Sequence, residues 1–186
     1  NSQELIREEM KDVESRVNGQ AIYSFGIQGL DWYAPEENGG EHVRRMIPGA
    51  APGKITVVTG LSGVGKSTFT ANMVLGLIKE GRRVLYGAFE MNPATTLELL
   101  ACISLGWSRS DVYQGKGEIG TPEGRAMFQA QLTNISKRVR FLDAAFHRTV
   151  GEKGGNERNL DLLQGYIADS GCDVFVADLW KRCLKV

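Results

Sequence analysis

"KITVVTGLSGVGKSTFTANMVLGLIKEGRRVLYGAFEM", residues 54–91, changes character three times. "KITVVT" (54–59) is a β-branched run and reads as a strand. "GLSGVGKST" (60–68) then crowds three glycines, a lysine and three hydroxyl side chains into one corner. Residues 66–80 are rich in helix formers and are closed by Gly81, and "RRVLYGAF" (82–89) reads as a second strand. Strand, helix, strand is the unit of a parallel α/β sheet.

The pattern continues outward. Residues 93–105, "PATTLELLACISL", open on Pro93 and predict a second crossover helix. The glycine-rich "QGKGEIGTPEG" reads as a loop, "GRAMFQAQLTNISKR" as a helix and "VRFLDAA" as a third strand. After the polar "HRTVGEKGGNER", "NLDLLQGYIADSG" predicts a helix and "CDVFVADLW" a fourth strand buried on both faces. Upstream, residues 2–17 space Leu5, Ile6, Met10, Val13 and Val17 as a thin amphipathic helix, and residues 18–53 read as loop with at most short elements. The expected architecture is a three-layer α/β fold with a mainly parallel sheet.

Bulk composition suits this. A chain of 186 residues, 42% apolar and 24% charged, can bury one substantial core. With 22 basic and 22 acidic residues, no global field draws it to nucleic acid or anionic lipid, so any such binding must be local. The three cysteines, Cys102, Cys172 and Cys183, have no zinc spacing and read as reduced thiols of a cytoplasmic protein. No apolar run reaches the roughly 20 residues that span a bilayer, so no membrane partner is expected. A chain beginning at Asn1 reads as a fragment of a longer protein.

Gly60 to Ser67 matches G-x-x-x-x-G-K-[ST], placed after a strand and before a helix as a phosphate-binding loop requires. Gly60, Leu61, Ser62, Gly63, Val64 and Gly65 would turn their N–H groups inward around phosphate oxygens, helped by the positive end of the helix dipole. Lys66 supplies charge at the β- and γ-phosphates of ATP, Ser67 a hydroxyl for Mg²⁺, and Thr68 further contacts at the phosphate end. "DVFVAD" (173–178) ends in Asp178. A buried strand ending near an acid is common in α/β chains, but after a phosphate loop in the same sheet Asp178 reads as the carboxylate of the Mg²⁺ shell. Hydrolysis also needs a base for the attacking water. The residue after Asp178 is Leu179, so we place the base at Glu90, the carboxyl end of the second strand. Glu90 lies beside the phosphate loop if that strand neighbours "KITVVT".

Together, "PGKITVVTGLSGVGKST", "RRVLYGAFEM" and "DVFVADLW" resemble the RecA-like P-loop ATPase core, most closely the DnaB-type replicative helicase group. The resemblance covers about residues 25–180 and is most specific in the Walker A loop. It implies that Glu90 with Met91 carries the catalytic glutamate, that Asp178 is the magnesium aspartate, and that "FGIQGLD" (25–31) leads into the first strand. It also implies a division into a linker-like helix, residues 1–20, and the N-terminal part of the ATPase core, residues 21–186, truncated after the Walker B strand. The family's later strands, DNA-facing loops and arginine finger would lie beyond Val186. The loop "LSGVG" lacks the proline common in the family.

The expected activity is therefore that of an ATP-hydrolysing motor, a homo-oligomeric ring acting on single-stranded DNA. The ATP part comes from residues, the DNA and ring parts from resemblance. A nucleotide-gated regulatory or recombination-mediator ATPase with protein partners is the alternative. A small-molecule kinase fits less well, because residues 114–124 offer no arginine for a lid before Arg125. Helix 2–17 either grips a neighbour or packs on its own domain. Lys181 and Arg182 either face DNA or cap a solvated strand end, His42 and His147 read as solvated loop histidines, and Trp32, Tyr33, Trp107 and Trp180 read as core aromatics at element ends rather than base-stacking groups.

Overall fold

In the computed structural model of the chain, the described residues are 3, 4, 6, 7, 10, 11, 14, 25–27, 33–35, 41–43, 50, 53–89, 91–142 and 156–178. The helices begin and end where local chemistry dictates. Helix α1 spans Lys66–Lys79 and closes as Glu80 N–H donates to the Gly76 carbonyl at 3.1 Å, with Gly81 at φ 82°. Helix α2 spans Pro93–Leu105: Asn92 Oδ1 accepts the Thr95 N–H at 2.7 Å, and Pro93 takes a position whose N–H has no intrahelical acceptor. The stretch after α2 holds more structure than expected. Helix α3, Arg109–Gln114, is capped by Ser108, a 3₁₀ turn covers Gly117–Gly120, and α4, Pro122–Ser136, starts on a Thr121 cap. Helix α5 spans Asn156–Ser170.

Two short strands, β1 (Tyr33–Pro35) and β2 (Glu41–Val43), pair antiparallel within the segment read as loop. The main sheet has β3 (Val84–Ala88) at its centre, between β4 (Val139–Phe141) and β5 (Val174–Asp178), all parallel. The chain is thus an α/β protein with a small parallel sheet. Val84 pairs with Val139 and Val174, and Ala88 pairs with Asp178. Because strand side chains alternate between faces, Val84, Tyr86 and Ala88 join Val74 and Leu77 of α1, Leu100 of α2 and Ile135 of α4. Leu85 and Phe89 join Leu142 and Leu163 of α5 on the other face. Covered on both faces, β3 reads as a near-continuous apolar run.

Phe25 is buried against α1, and a close backbone approach makes this possible. A Cβ on Gly76 would overlap the Phe25 carbonyl, so the helix presents glycine where residues 25–27 cross it. The start of the expected "FGIQGLD" motif is therefore fixed to the helix that follows the glycine loop.

One expectation fails. Residues 54–60 form no strand, and Ile55 and Val57 are 90% and 74% exposed. This segment and β5 instead line a common cavity of about 700 Å³, together with Met73 and Leu77 of α1 and Leu163 and Ile167 of α5. Strand β3 has β4 and β5 on its two sides, so it does not neighbour residues 54–59, the condition attached to Glu90. Among the described residues β5 is paired on one side only, and its residues 174–177 are half-buried rather than buried on both faces. β-branched residues favour an extended backbone, but a strand also needs ladder partners from elsewhere in the chain. Among the described residues, no strand pairs with this segment.

Of residues 2–17, those described are helical, with Ile6 and Met10 exposed. Glu90, the end of the predicted third strand at 143–145, His147, and Leu179, Trp180, Lys181 and Arg182 lie outside the described residues, as does Trp32. No helix among the described residues is long and apolar enough to cross a membrane.

Candidate functional site

The corner Gly60–Thr68 is built for its backbone. Gly63 and Gly65 sit at φ 80° and 91°, yet nothing lies within 4 Å of where a Cβ would be on either. Glycine is needed there for the left-handed turn, not for room. Residues 60–65 are exposed, so the loop opens to solvent with Leu61, Ser62 and Val64 on its surface.

The loop delivers the chain into α1 without a side-chain cap, whereas Asn92, Ser108 and Thr121 cap α2, α3 and α4. The first intrahelical bond at this end runs from Phe69 N–H to the Gly65 carbonyl at 2.8 Å. Helix geometry therefore leaves the N–H groups of Lys66, Ser67 and Thr68 without intrahelical acceptors, at the positive end of the macrodipole. An anion is the natural partner of such an end. Lys66 adds charge: its Nζ donates to the carbonyls of Gly60 at 3.0 Å and Leu61 at 2.6 Å, folding the ammonium over the loop. Thr68 is exposed, and its carbonyl accepts from Asn72 Nδ2 at 2.8 Å.

Asp178 reaches this corner from the end of β5. Ser67 Oγ donates to Asp178 Oδ1 at 3.4 Å, a long contact between residues 111 apart in sequence. The other oxygen, Oδ2, accepts from the Tyr86 hydroxyl at 3.1 Å. Parallel register explains the meeting: Asp178 lies opposite Ala88 and Tyr86 opposite Val176, so the two side chains share one face of the sheet one step apart along the strands. Burial first, then the Asp178 charge and the hydrogen bond to it, push the Tyr86 phenol far above its ordinary range. It stays a neutral donor.

The donors fit Mg²⁺. Both are oxygens, as a hard cation prefers, and 3.4 Å is close to the roughly 3 Å between neighbouring oxygens of an octahedral Mg²⁺ with bonds of about 2.1 Å. Among the described residues no cluster of three His, Cys, Asp or Glu side chains could hold a metal ion. A single carboxylate with a hydroxyl suits an ion that takes its remaining ligands from phosphates and water.

Of the expected site residues, the structure brings together Gly60–Thr68 and Asp178. Glu90 lies outside the described residues. Trp107 stacks on Phe128, centroids 6.0 Å apart and rings at 8°, in line with a structural role. Sequence reading missed Tyr86. The signal was present: one hydroxyl-bearing residue in the apolar run "VLYGA" must find a partner once buried. No family model, curated protein or solved structure matches the chain.

Proposed function

We propose that the chain binds ATP with Mg²⁺ at Gly60–Thr68 and hydrolyses it, as the core of a RecA-like motor of the DnaB type acting on single-stranded DNA. One observation carries the nucleotide part: Ser67 and Asp178 meet beside an uncapped helix N-terminus. A glycine turn that merely joins two elements has no need of a carboxylate brought from another strand to its helix start. A parallel sheet with helices on both faces is compatible with the finer RecA-like assignment. DNA and ring assembly rest on the resemblance of "PGKITVVTGLSGVGKST", "RRVLYGAFEM" and "DVFVADLW" alone.

In this reading the loop backbone and the first turn of α1 hold the phosphates. Lys66 exchanges its two loop carbonyls for phosphate oxygens, and Ser67 and Asp178 hold the cation. When bound, Mg²⁺ supplies charge neutralisation at the β- and γ-phosphates. Glu90 is given the attacking water by the resemblance of "RRVLYGAFEM" alone, since β3 does not neighbour residues 54–59.

The test is titration with a fluorescent ATP analogue, followed by turnover with and without single-stranded DNA. Lys66→Ala is expected to abolish binding or turnover, while Glu90→Gln spares binding and blocks hydrolysis. Undiminished binding and turnover in Lys66→Ala would refute the site, and equal turnover in Glu90→Gln would remove that residue from the chemistry. ATP hydrolysis indifferent to DNA would replace the motor with a regulatory ATPase.

A further inference from the structure

Strand β3 contributes one polar side chain to the buried face beside Asp178, and it is aimed at that carboxylate. Tyr86 is fully buried, its ring held against Phe141 with centroids 5.9 Å apart. Its backbone lies in the central strand, opposite Val176 on one side and Phe141 on the other. The hydroxyl therefore has little freedom to move, and its bond goes to Asp178 Oδ2 at 3.1 Å. Ser67 reaches the opposite oxygen, Oδ1. A phenylalanine would fill the same core without a hydroxyl to desolvate. A tyrosine is suited to this place because its proton satisfies a buried carboxylate oxygen.

We propose that Tyr86 is a positioning residue: by holding Oδ2 of Asp178 it turns Oδ1 toward Ser67 and so sets which carboxylate oxygen is offered to Mg²⁺. The inference rests on the reading of Gly60–Thr68 and Asp178 as a magnesium–nucleotide site, and it deepens that reading. Without the phenol, the buried carboxylate has one unsatisfied oxygen and can rotate to seek another donor. The cation then meets a ligand that must first be reoriented. Outer partners of metal ligands act in this way, and their loss typically weakens metal affinity about 10–100-fold. Nucleotide contacts made by the loop backbone and Lys66 do not pass through Tyr86, so affinity without metal is untouched.

The experiment measures binding of a fluorescent ADP analogue to the wild type and to Tyr86→Phe, first in EDTA and then through a Mg²⁺ titration. The expected result is unchanged affinity in EDTA with the Mg²⁺ half-saturation point raised about tenfold or more. An unmoved half-saturation point overturns the proposal. So does an equal loss with and without metal, which marks a general disturbance of the fold. Should Tyr86→Phe fail to fold, the comparison moves to Asp178→Asn with and without Tyr86→Phe, where the charge left bare is gone. If Tyr86 acts through Asp178, adding Tyr86→Phe there leaves the already weakened Mg²⁺ dependence as it is, and a further loss overturns the proposal. A wild type that binds no nucleotide in either condition defeats the site reading itself and this inference with it. A wild type with normal Mg²⁺ dependence and an indifferent Tyr86→Phe defeats only the role of Tyr86.

Discussion

Replacing Gly76 by alanine sets two effects of known sign against each other. In the interior of α1, alanine gains about 1 kcal/mol of helix propensity over glycine. The new methyl, however, would overlap the carbonyl of Phe25 and lie 2.9 Å from the Gly26 nitrogen. Both obstacles are backbone, so no flexible side chain can swing aside. Relief requires lifting residues 25–27 from the helix, which uncovers Phe25, now only 5% exposed. Burial of a phenylalanine contributes about 1.5–3 kcal/mol, leaving a net loss of about 0.5–2 kcal/mol after the propensity gain. For a chain of this size that is a fall in Tm of roughly 1–8 °C. Gly165→Ala in α5 is the control, because its Cβ meets nothing within 4 Å. It should gain up to about 1 kcal/mol and raise Tm by roughly 2–4 °C. Thermal melts of the two variants against wild type decide the matter. If Gly76→Ala stabilises as Gly165→Ala does, residues 25–27 do not cross α1 and the reasoning fails.

Asn92→Ala removes the side chain that accepts the Thr95 N–H and should cost about 1 kcal/mol, read as a lower urea midpoint with an unchanged slope. The raised Tyr86 phenol implies an alkaline limit. Its proton is held more tightly in the folded chain, so its contribution to stability is complete below about pH 10 and is lost as pH rises beyond it, by at most about 1.4 kcal/mol per pH unit. Urea midpoints measured between pH 8 and 11 should therefore fall more steeply for wild type than for Tyr86→Phe, and parallel curves would contradict the buried bond. Cys102 is buried, and burial, reinforced by the Glu98 charge and partly offset by Arg109, pushes its thiol up. Thiol titration at pH 8 should leave Cys102 unlabelled until urea unfolds the chain, with the half-buried Cys172 reacting before it.

Helices α1 and α2 were legible in the sequence with an end each, Gly81 after α1 and Pro93 at the start of α2, because backbone angles and bonds within a few residues set them. Helix α3 and the Thr121–Pro122 start of α4 fell in or beside a glycine-rich stretch read as loop, where the Ser108 and Thr121 caps outweighed the glycines. The glycine loop was legible for the same reason, its turn needing left-handed angles at Gly63 and Gly65.

Tertiary structure alone decided what depends on distant partners. "KITVVT" has the composition of a strand, yet a ladder needs a second strand, and the described segment has none. Parallel register across the sheet brings the phenol of Tyr86 to Asp178, and the packing of α1 on that face of β3 brings Ser67 to the same carboxylate. The crossing of Phe25 over Gly76 likewise depends on backbones far apart in sequence. Helical bonds close over four residues and can be read locally, whereas sheet neighbours and buried polar pairs are chosen by the whole chain as it packs.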